Sequence, residues 1–144
     1  MSGQEHYRKL ERMYAGAPVN AWYRPELTVG EGRAEPRIPV RREFFHAAGA
    51  VHGSVYFKAL DDATFFAAAS LVEDVFVLTA GFNLQLTRRV SEGELVAVGE
   101  VVHSSRRLLL AEAVLSDAEG NQLARGSGSF LRSATPLGPE LGYI

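Results

Sequence analysis

Gly53 and Asp61 are the residues of this 144-residue sequence whose types and setting are best suited to chemistry. Gly53 stands in the run His52-Gly53-Ser54, and Asp61 lies inside the almost wholly apolar stretch 55–72 that follows it. An ionised carboxylate in a buried helix costs several kcal/mol unless something compensates it. A Gly-Ser step before a helix leaves backbone N–H groups unpaired, and these can hold an oxygen that carries negative charge. The two features together indicate a chemical role for the carboxylate and a site for an oxyanion.

The spacing of Gly53 and Asp61 limits how they can cooperate. Eight residues separate them, which in a helix is about 12 Å, or roughly two turns. That distance is too long for both groups to act on one small atom within a single chain. Unless the helix packs against a symmetry-related copy, the two residues serve different sites.

The segment 46–63 resembles the hot-dog-fold acyl-CoA thioesterases, most closely their phenylacetyl-CoA thioesterase-like branch. Members of that branch carry Asn-x-x-Gly-x-x-His-Gly-Gly, with an acidic residue nine positions after the histidine. Gly49, His52 and Gly53 match this motif, and Asp61 stands nine positions after the histidine. The motif and its spacing agree, so the resemblance is specific.

The resemblance extends beyond the motif and has two departures. It continues in the runs 79–84 and 124–130, and it covers roughly residues 36–132. The family's asparagine is replaced by His46, and the second glycine of His-Gly-Gly is replaced by Ser54. Neither change removes the acid or the glycine.

The resemblance implies a single α+β hot-dog domain, in which a curved antiparallel β-sheet wraps a long central helix. We expect an N-terminal helix and an irregular lead-in over 1–35, because three prolines interrupt residues 16–36. The hot-dog domain is expected over 36–135 and a loose tail over 136–144. The patterns of β-branched and aliphatic residues predict a short helix at 7–14 and strands at 37–44, 75–88, 94–103, 107–115 and 122–131.

The resemblance also implies a reaction, the hydrolysis of the thioester of a small or medium acyl-CoA, aryl-acetyl groups included. In that reaction the Gly53 N–H polarises the thioester carbonyl. Asp61 of the partner subunit attacks the carbon or deprotonates a water, and Thr79 orients that water. The implied assembly is a homodimer or homotetramer with shared active sites, and the reaction needs no cofactor.

The histidines and a second acid have simpler interpretations beside the catalytic ones. His52 is expected to close the turn before the helix rather than act as a base. His46 is either a loop histidine or, at the asparagine position, a donor to the thioester carbonyl or to water. Asp62 is expected to form an i,i+4 ion pair with Lys58.

The remaining predicted site residues would bind substrate. The guanidinium groups of Arg106 and Arg107 follow a Ser-Ser turn and match phosphate oxygens of CoA, although a solvated hairpin tip explains them equally well. We expect the substrate-binding set to comprise His52, Ser54, Asn83, Ser105, Arg106 and Arg107.

Composition excludes several other classes of function. The formal net charge of -2 gives no electrostatic reason to expect nucleic acid as a partner, and the lack of cysteine excludes disulfides and thiolate chemistry. The start of the sequence lacks an export signal, so a cytoplasmic protein is expected. The charges of Lys58, Asp61 and Asp62 argue against a membrane span at 55–72. The four histidines show no spacing typical of metal ligands.

Two alternatives from other classes remain open. A hot-dog hydratase or dehydratase would need its own histidine signature before the helix, such as His-Phe-Pro, whereas residues 45–47 read Phe-His-Ala. A non-catalytic acyl-CoA-binding protein coupled to DNA would need a helix-turn-helix, and residues 1–35 predict one short helix. An assay of thiol release from acyl-CoAs distinguishes all three.

Overall fold

The apolar stretch after Gly53 forms one long helix, α3 (Gly53–Ala69), in a computed structural model that describes residues 2–144. The helix begins at an N-cap, His52, whose ring nitrogen accepts a hydrogen bond from the Ser54 N–H. It ends before Val72, where the Ser70 hydroxyl donates to the Ala67 carbonyl. Most of its side chains are buried, as its composition predicts.

A six-stranded antiparallel sheet covers α3, and all six strands contact the helix. This confirms the α+β hot-dog architecture. Gly99 permits the close approach, because a Cβ at that position would lie 2.3 Å from the Ala63 carbonyl oxygen of α3. The strands lie in the order β1, β2, β4, β5, β6, β3, with bounds β1 (Glu26–Gly30), β2 (Arg33–Pro39), β3 (Val75–Leu86), β4 (Glu94–Ser104), β5 (Leu109–Ser116) and β6 (Gln122–Pro136).

Residues 16–36, predicted to be irregular, contain β1 and the first half of β2 as a hairpin. Gly32 closes the turn of this hairpin with a φ of +65°. Pro36 is tolerated because β2 pairs with β4 at Ala34 and again at Arg37 but not between them. The predicted strand 37–44 therefore begins earlier, and residues 42–44 form a 3₁₀ turn instead.

The N-terminal helix is longer than the predicted span 7–14. The first helix, α1 (Gly3–Gly16), starts at Ser2, whose side chain accepts a hydrogen bond from the Glu5 N–H. A single-turn helix, α2 (Asn20–Tyr23), follows it. The other strands agree with the predicted spans to within a few residues, except that β6 continues to Pro136 because β3 pairs with it there.

The tail 136–144 is packed rather than loose. A 3₁₀ turn at Pro139–Leu141 leads to Tyr143, which is 6% exposed. The Tyr143 hydroxyl lies 2.7 Å from Nδ1 of the buried His6, whose Nε2 lies 2.9 Å from the Ala69 carbonyl at the end of α3. The tail thus ties α1 to the C-terminal end of the central helix.

No helix within residues 2–144 combines the length and the apolar character needed to cross a lipid bilayer.

Candidate active site

Asp61 lies halfway along α3 and is held by a residue of β3. The Thr79 hydroxyl donates a hydrogen bond of 2.8 Å to Asp61 Oδ1. Just after Thr79 the pairing of β3 with β6 shifts register, and such irregularities often redirect side chains next to active sites. The structure therefore brings together two of the residues that the sequence assigns to catalysis.

The surroundings of Asp61 raise the pKa of its carboxyl group. Burial disfavours the charged form and is the largest cause, while the Thr79 hydrogen bond and the charge of Lys58 act in the opposite direction. A carboxylate with a raised pKa accepts a proton more readily than an ordinary aspartate. Asp61 is thus suited to act as a base near neutral pH.

Removing the Thr79 hydroxyl is expected to raise the pKa of Asp61 further. The hydroxyl donates to the carboxylate and so favours the ionised form, which the isosteric Thr79→Val change would destabilise. The midpoint of the Asp61 titration, followed by the chemical shift of its carboxyl carbon, should move to higher pH. Thr28→Val makes the same change on an exposed position of β1 and should leave the midpoint where it is. An unchanged midpoint in Thr79→Val would contradict the assignment.

Asp61 and Thr79 line a cavity of about 330 Å³. This volume is within the range of small-molecule pockets. The cavity lies between α3, β3 and the N-terminal segment, and its walls are mostly apolar and aromatic. The apolar and aromatic lining residues are Met13, Tyr14, Ala17, Val19, Phe65, Phe66, Phe76 and Leu78.

A buried polar cluster lies beside Asp61 in the same cavity. Asp62 Oδ2 accepts a hydrogen bond of 2.6 Å from the Tyr14 hydroxyl and lies 2.9 Å from Lys58 Nζ. The predicted i,i+4 pair of Lys58 and Asp62 is confirmed, but it is buried. Burial raises the pKa of Asp62 to about 6, against the opposing effect of Lys58. Sequence reasoning missed Tyr14, and its only signal was its position on the apolar face of α1, four residues after Leu10.

Gly53, the first residue of α3, presents a free donor. Within residues 2–144 its backbone N–H has no hydrogen-bond acceptor. The neighbouring Ser54 N–H is occupied by the His52 ring, which also lies 2.8 Å from the Ser54 hydroxyl. His52 thus closes the turn as predicted. The Gly53 N–H is left as the open oxyanion donor.

Gly53 and Asp61 contact opposite halves of β3. A Cβ on Gly53 would lie 3.0 Å from Leu86 Cδ1, near the end of the strand, whereas Asp61 contacts Thr79. The two groups therefore line different cavities of one chain. The structure agrees with the sequence argument that they do not meet within a single subunit.

The cavity at Gly53 has a volume of about 360 Å³ and is lined by His46, Arg88 and Arg89. His46 Nδ1 accepts a hydrogen bond of 3.0 Å from the Ala48 N–H, so in the neutral ring the proton is on Nε2, which is left as a donor. Sequence reasoning missed both arginines, although they directly follow the predicted strand. They place two positive charges beside the start of α3.

The sequence model of the Thioesterase superfamily matches residues 48–124, more than half of the chain. The chain belongs to the thioesterase superfamily.

Two solved structures place this thioesterase-superfamily chain among its relatives. A thioesterase family protein from Silicibacter pomeroyi is 26% identical, with a TM-score of 0.79, and the match covers 90% of this chain and 97% of that one. The PaaI protein of the phenylacetic acid degradation operon of E. coli has a TM-score of 0.85 at 15% identity, over 94% and 99% of the two chains. The second likeness concerns the fold alone.

The predicted CoA-binding residues of this superfamily member lie apart from Gly53. Ser105 closes the turn between β4 and β5, and its hydroxyl donates to the Leu108 carbonyl. Arg106 and Arg107 are exposed at this hairpin tip. The tip lies at the end of the sheet where Thr79 lies, since β5 and β3 flank the same β6 residue there. Their contact with phosphate stays a prediction.

Asn83 of this thioesterase-superfamily chain lies in another depression, of about 430 Å³. That depression is on the face of the sheet that points away from α3, and its lining includes Glu112 and Ser127. The Asn83 side chain accepts a hydrogen bond from Gln85. The structure therefore does not bring Asn83 to the carboxylate, although the depression is larger than the Asp61 cavity.

No group of three or more His, Asp or Glu side chains able to hold a metal ion occurs in the part of the chain described, residues 2–144.

Proposed function

We propose that this protein hydrolyses the thioester of a small or medium acyl-CoA to a free acid and CoA. The observation that carries the proposal is Asp61, a half-buried carboxylate with a raised pKa that Thr79 holds at the wall of an apolar cavity. Membership of the thioesterase superfamily supports the reaction class. The aromatic walls of the cavity suit an acyl group of modest size, aryl-acetyl groups included.

In the proposed reaction Asp61 is the general base. Thr79 holds its Oδ1, and Oδ2 has no hydrogen-bond partner within residues 2–144, so that oxygen is free to bind water. Oδ2 takes a proton from the water as the water oxygen bonds to the thioester carbon. The carbonyl oxygen becomes an oxyanion, and the Gly53 N–H stabilises it. The carbon–sulfur bond then breaks, and the leaving thiolate takes the proton from Asp61, which restores the carboxylate.

The proposal requires a dimer, since Gly53 and Asp61 of one chain do not meet. β3 is the outer strand of the sheet, and its twelve residues include no charged residue and no proline. Charges and prolines are the usual protection of a free edge, so this strand is suited to pairing with a copy of itself. Leu78 and Leu86 on this strand are half exposed, at 51% and 50%.

The position of the two-fold axis follows from the contacts of β3. Thr79 marks the Asp61 end, Leu86 marks the Gly53 end, and their midpoint falls between Phe82 and Asn83. Antiparallel pairing about that point sets Thr79 opposite Leu86 of the partner subunit. Asp61 of one subunit then approaches the helix start of the other, which yields two shared sites per dimer. A dimer is the minimum active unit, and a tetramer would be two such dimers.

A panel of acyl-CoAs, from acetyl to long-chain and aryl-acetyl esters, tests the proposed function by thiol release with a chromogenic reagent. The protein has no cysteine, so every thiol detected comes from CoA. We expect saturable release with at least one small or medium ester. Binding without release would indicate the non-catalytic alternative, and loss of enoyl absorbance from an enoyl-CoA would indicate a hydratase. Either result would contradict the proposal.

A further inference from the structure

The N-terminal segment supplies a polar group to the cavity that contains Asp61. Asn20, the first residue of α2, lines this cavity together with Ala17 and Val19. Its side chain is only 5% exposed. A nearly buried carboxamide among apolar neighbours must find partners for its donor and its acceptor.

Only half of the Asn20 carboxamide is satisfied. Nδ2 donates a hydrogen bond of 2.7 Å to the Tyr14 carbonyl, whereas Oδ1 is fully buried and has no partner within residues 2–144. The Tyr14 carbonyl fixes the orientation of the amide, because reversing it would bring two oxygens together. A buried acceptor without a partner is costly, and it indicates a donor that arrives with a ligand.

The other polar groups of the cavity do not compete for this donor. The Tyr14 hydroxyl and Lys58 both bind Asp62, so these three side chains satisfy one another. Tyr14 also gives the scale of the cavity. Its carbonyl contacts Asn20, and its hydroxyl contacts the residue next to Asp61, so one tyrosine spans the two ends.

We propose that Asn20 is a specificity-determining residue whose Oδ1 accepts a hydrogen bond from the far end of the acyl group. The preferred substrate is then an acyl-CoA with an apolar chain that ends in a hydroxyl or an amide N–H. This inference rests on the proposed function, since it takes the Asp61 cavity as the acyl site. An alkyl end of the same size would fill the cavity but would leave Oδ1 unpaired.

The test compares ω-hydroxyacyl-CoAs with the methyl-terminated esters of matched size, at chain lengths from butanoyl to octanoyl. We expect the wild type to favour the hydroxy ester by about tenfold or more in kcat/KM at its best chain length, because the methyl ester leaves a buried acceptor unpaired. In Asn20→Leu, which keeps the volume but removes the acceptor, this preference should disappear. The rate with the methyl ester should be kept or increased.

The same experiment separates specificity from structure. An equal loss with both esters in Asn20→Leu would show that Asn20 only supports the fold, and thermal unfolding would reveal that role. Equal rates with both esters, or a preference for the methyl ester, in the wild type would overturn the proposal even if Asn20→Leu does not fold.

Binding distinguishes a failure of this inference from a failure of the proposed function. Calorimetry with Asp61→Asn measures the affinities of both esters without turnover. Tighter binding of the hydroxy ester supports the role of Asn20 even if the wild type hydrolyses nothing, a result that would contradict only the thioesterase assignment. Equal or weaker binding of the hydroxy ester overturns the role of Asn20 and leaves that assignment intact.

Discussion

Replacing Asp61 with asparagine is expected to lower kcat for acyl-CoA hydrolysis by about two to four orders of magnitude, the usual effect of removing a general base. Asparagine has nearly the same shape but cannot take a proton from water. Thr79 can still donate to the amide oxygen, so the surroundings of the side chain are kept. Thiol release from the best ester of the panel, together with thermal unfolding, measures both parts of this expectation.

Asp74→Asn is the matched control. It makes the same chemical change at an exposed position just after α3, and we expect turnover within about twofold of the wild type, as for most surface substitutions. Asp62 is unsuitable as a control because it is buried against Tyr14 and Lys58. If Asp61→Asn retained more than a tenth of wild-type turnover, Asp61 would not be the base.

Gly53→Pro is expected to lower kcat by about two to three orders of magnitude, the effect of removing one oxyanion donor. Proline lacks the N–H but fits the first position of a helix, so α3 should still form. Its ring would crowd Leu86, whose exposed end is free to move. Circular dichroism and thiol release check the fold and the rate.

Gly53→Ala separates the donor from the crowding. Alanine brings a Cβ to the same place beside Leu86 but keeps the backbone N–H. We expect it to retain most of the activity. Equal losses in the alanine and proline variants would assign the effect to shape and would refute the oxyanion role.

The sequence was sufficient to predict the central helix and the position of the carboxylate. The apolar stretch after Gly53 indicated a buried helix, and the spacing from His52 to Asp61 indicated the family. The contact between Asp61 and Thr79 followed from the same resemblance, because both residues stand at family positions. These features depend on short spacings, which a single sequence displays directly.

The parts that were wrong depend on contacts between distant segments. Prolines indicated an irregular lead-in, but Pro36 lies where the pairing of β2 with β4 is interrupted, so the hairpin forms. The tail was predicted to be loose, yet Tyr143 reaches His6 at the other end of the chain. No local pattern reports such contacts.

The N-terminal segment shows the same limit within the candidate site. Tyr14 and Asn20 come to the Asp61 cavity only because α1 and α2 fold against the central helix. Arg88 and Arg89 come to Gly53 only because β3 ends there. Sequence reasoning assigned the chemistry to the right helix but did not find the walls around it.

Mixed dimers of Asp61→Asn and Gly53→Pro test the central claim, that one site uses Gly53 and Asp61 from different subunits. Each homodimer should be inactive, whereas a heterodimer keeps one intact site, formed by Gly53 of the first variant and Asp61 of the second. Co-expression with two affinity tags isolates the heterodimer, and we expect about half of the wild-type kcat per dimer. Isolated heterodimers that show no more activity than the parent homodimers would contradict the account.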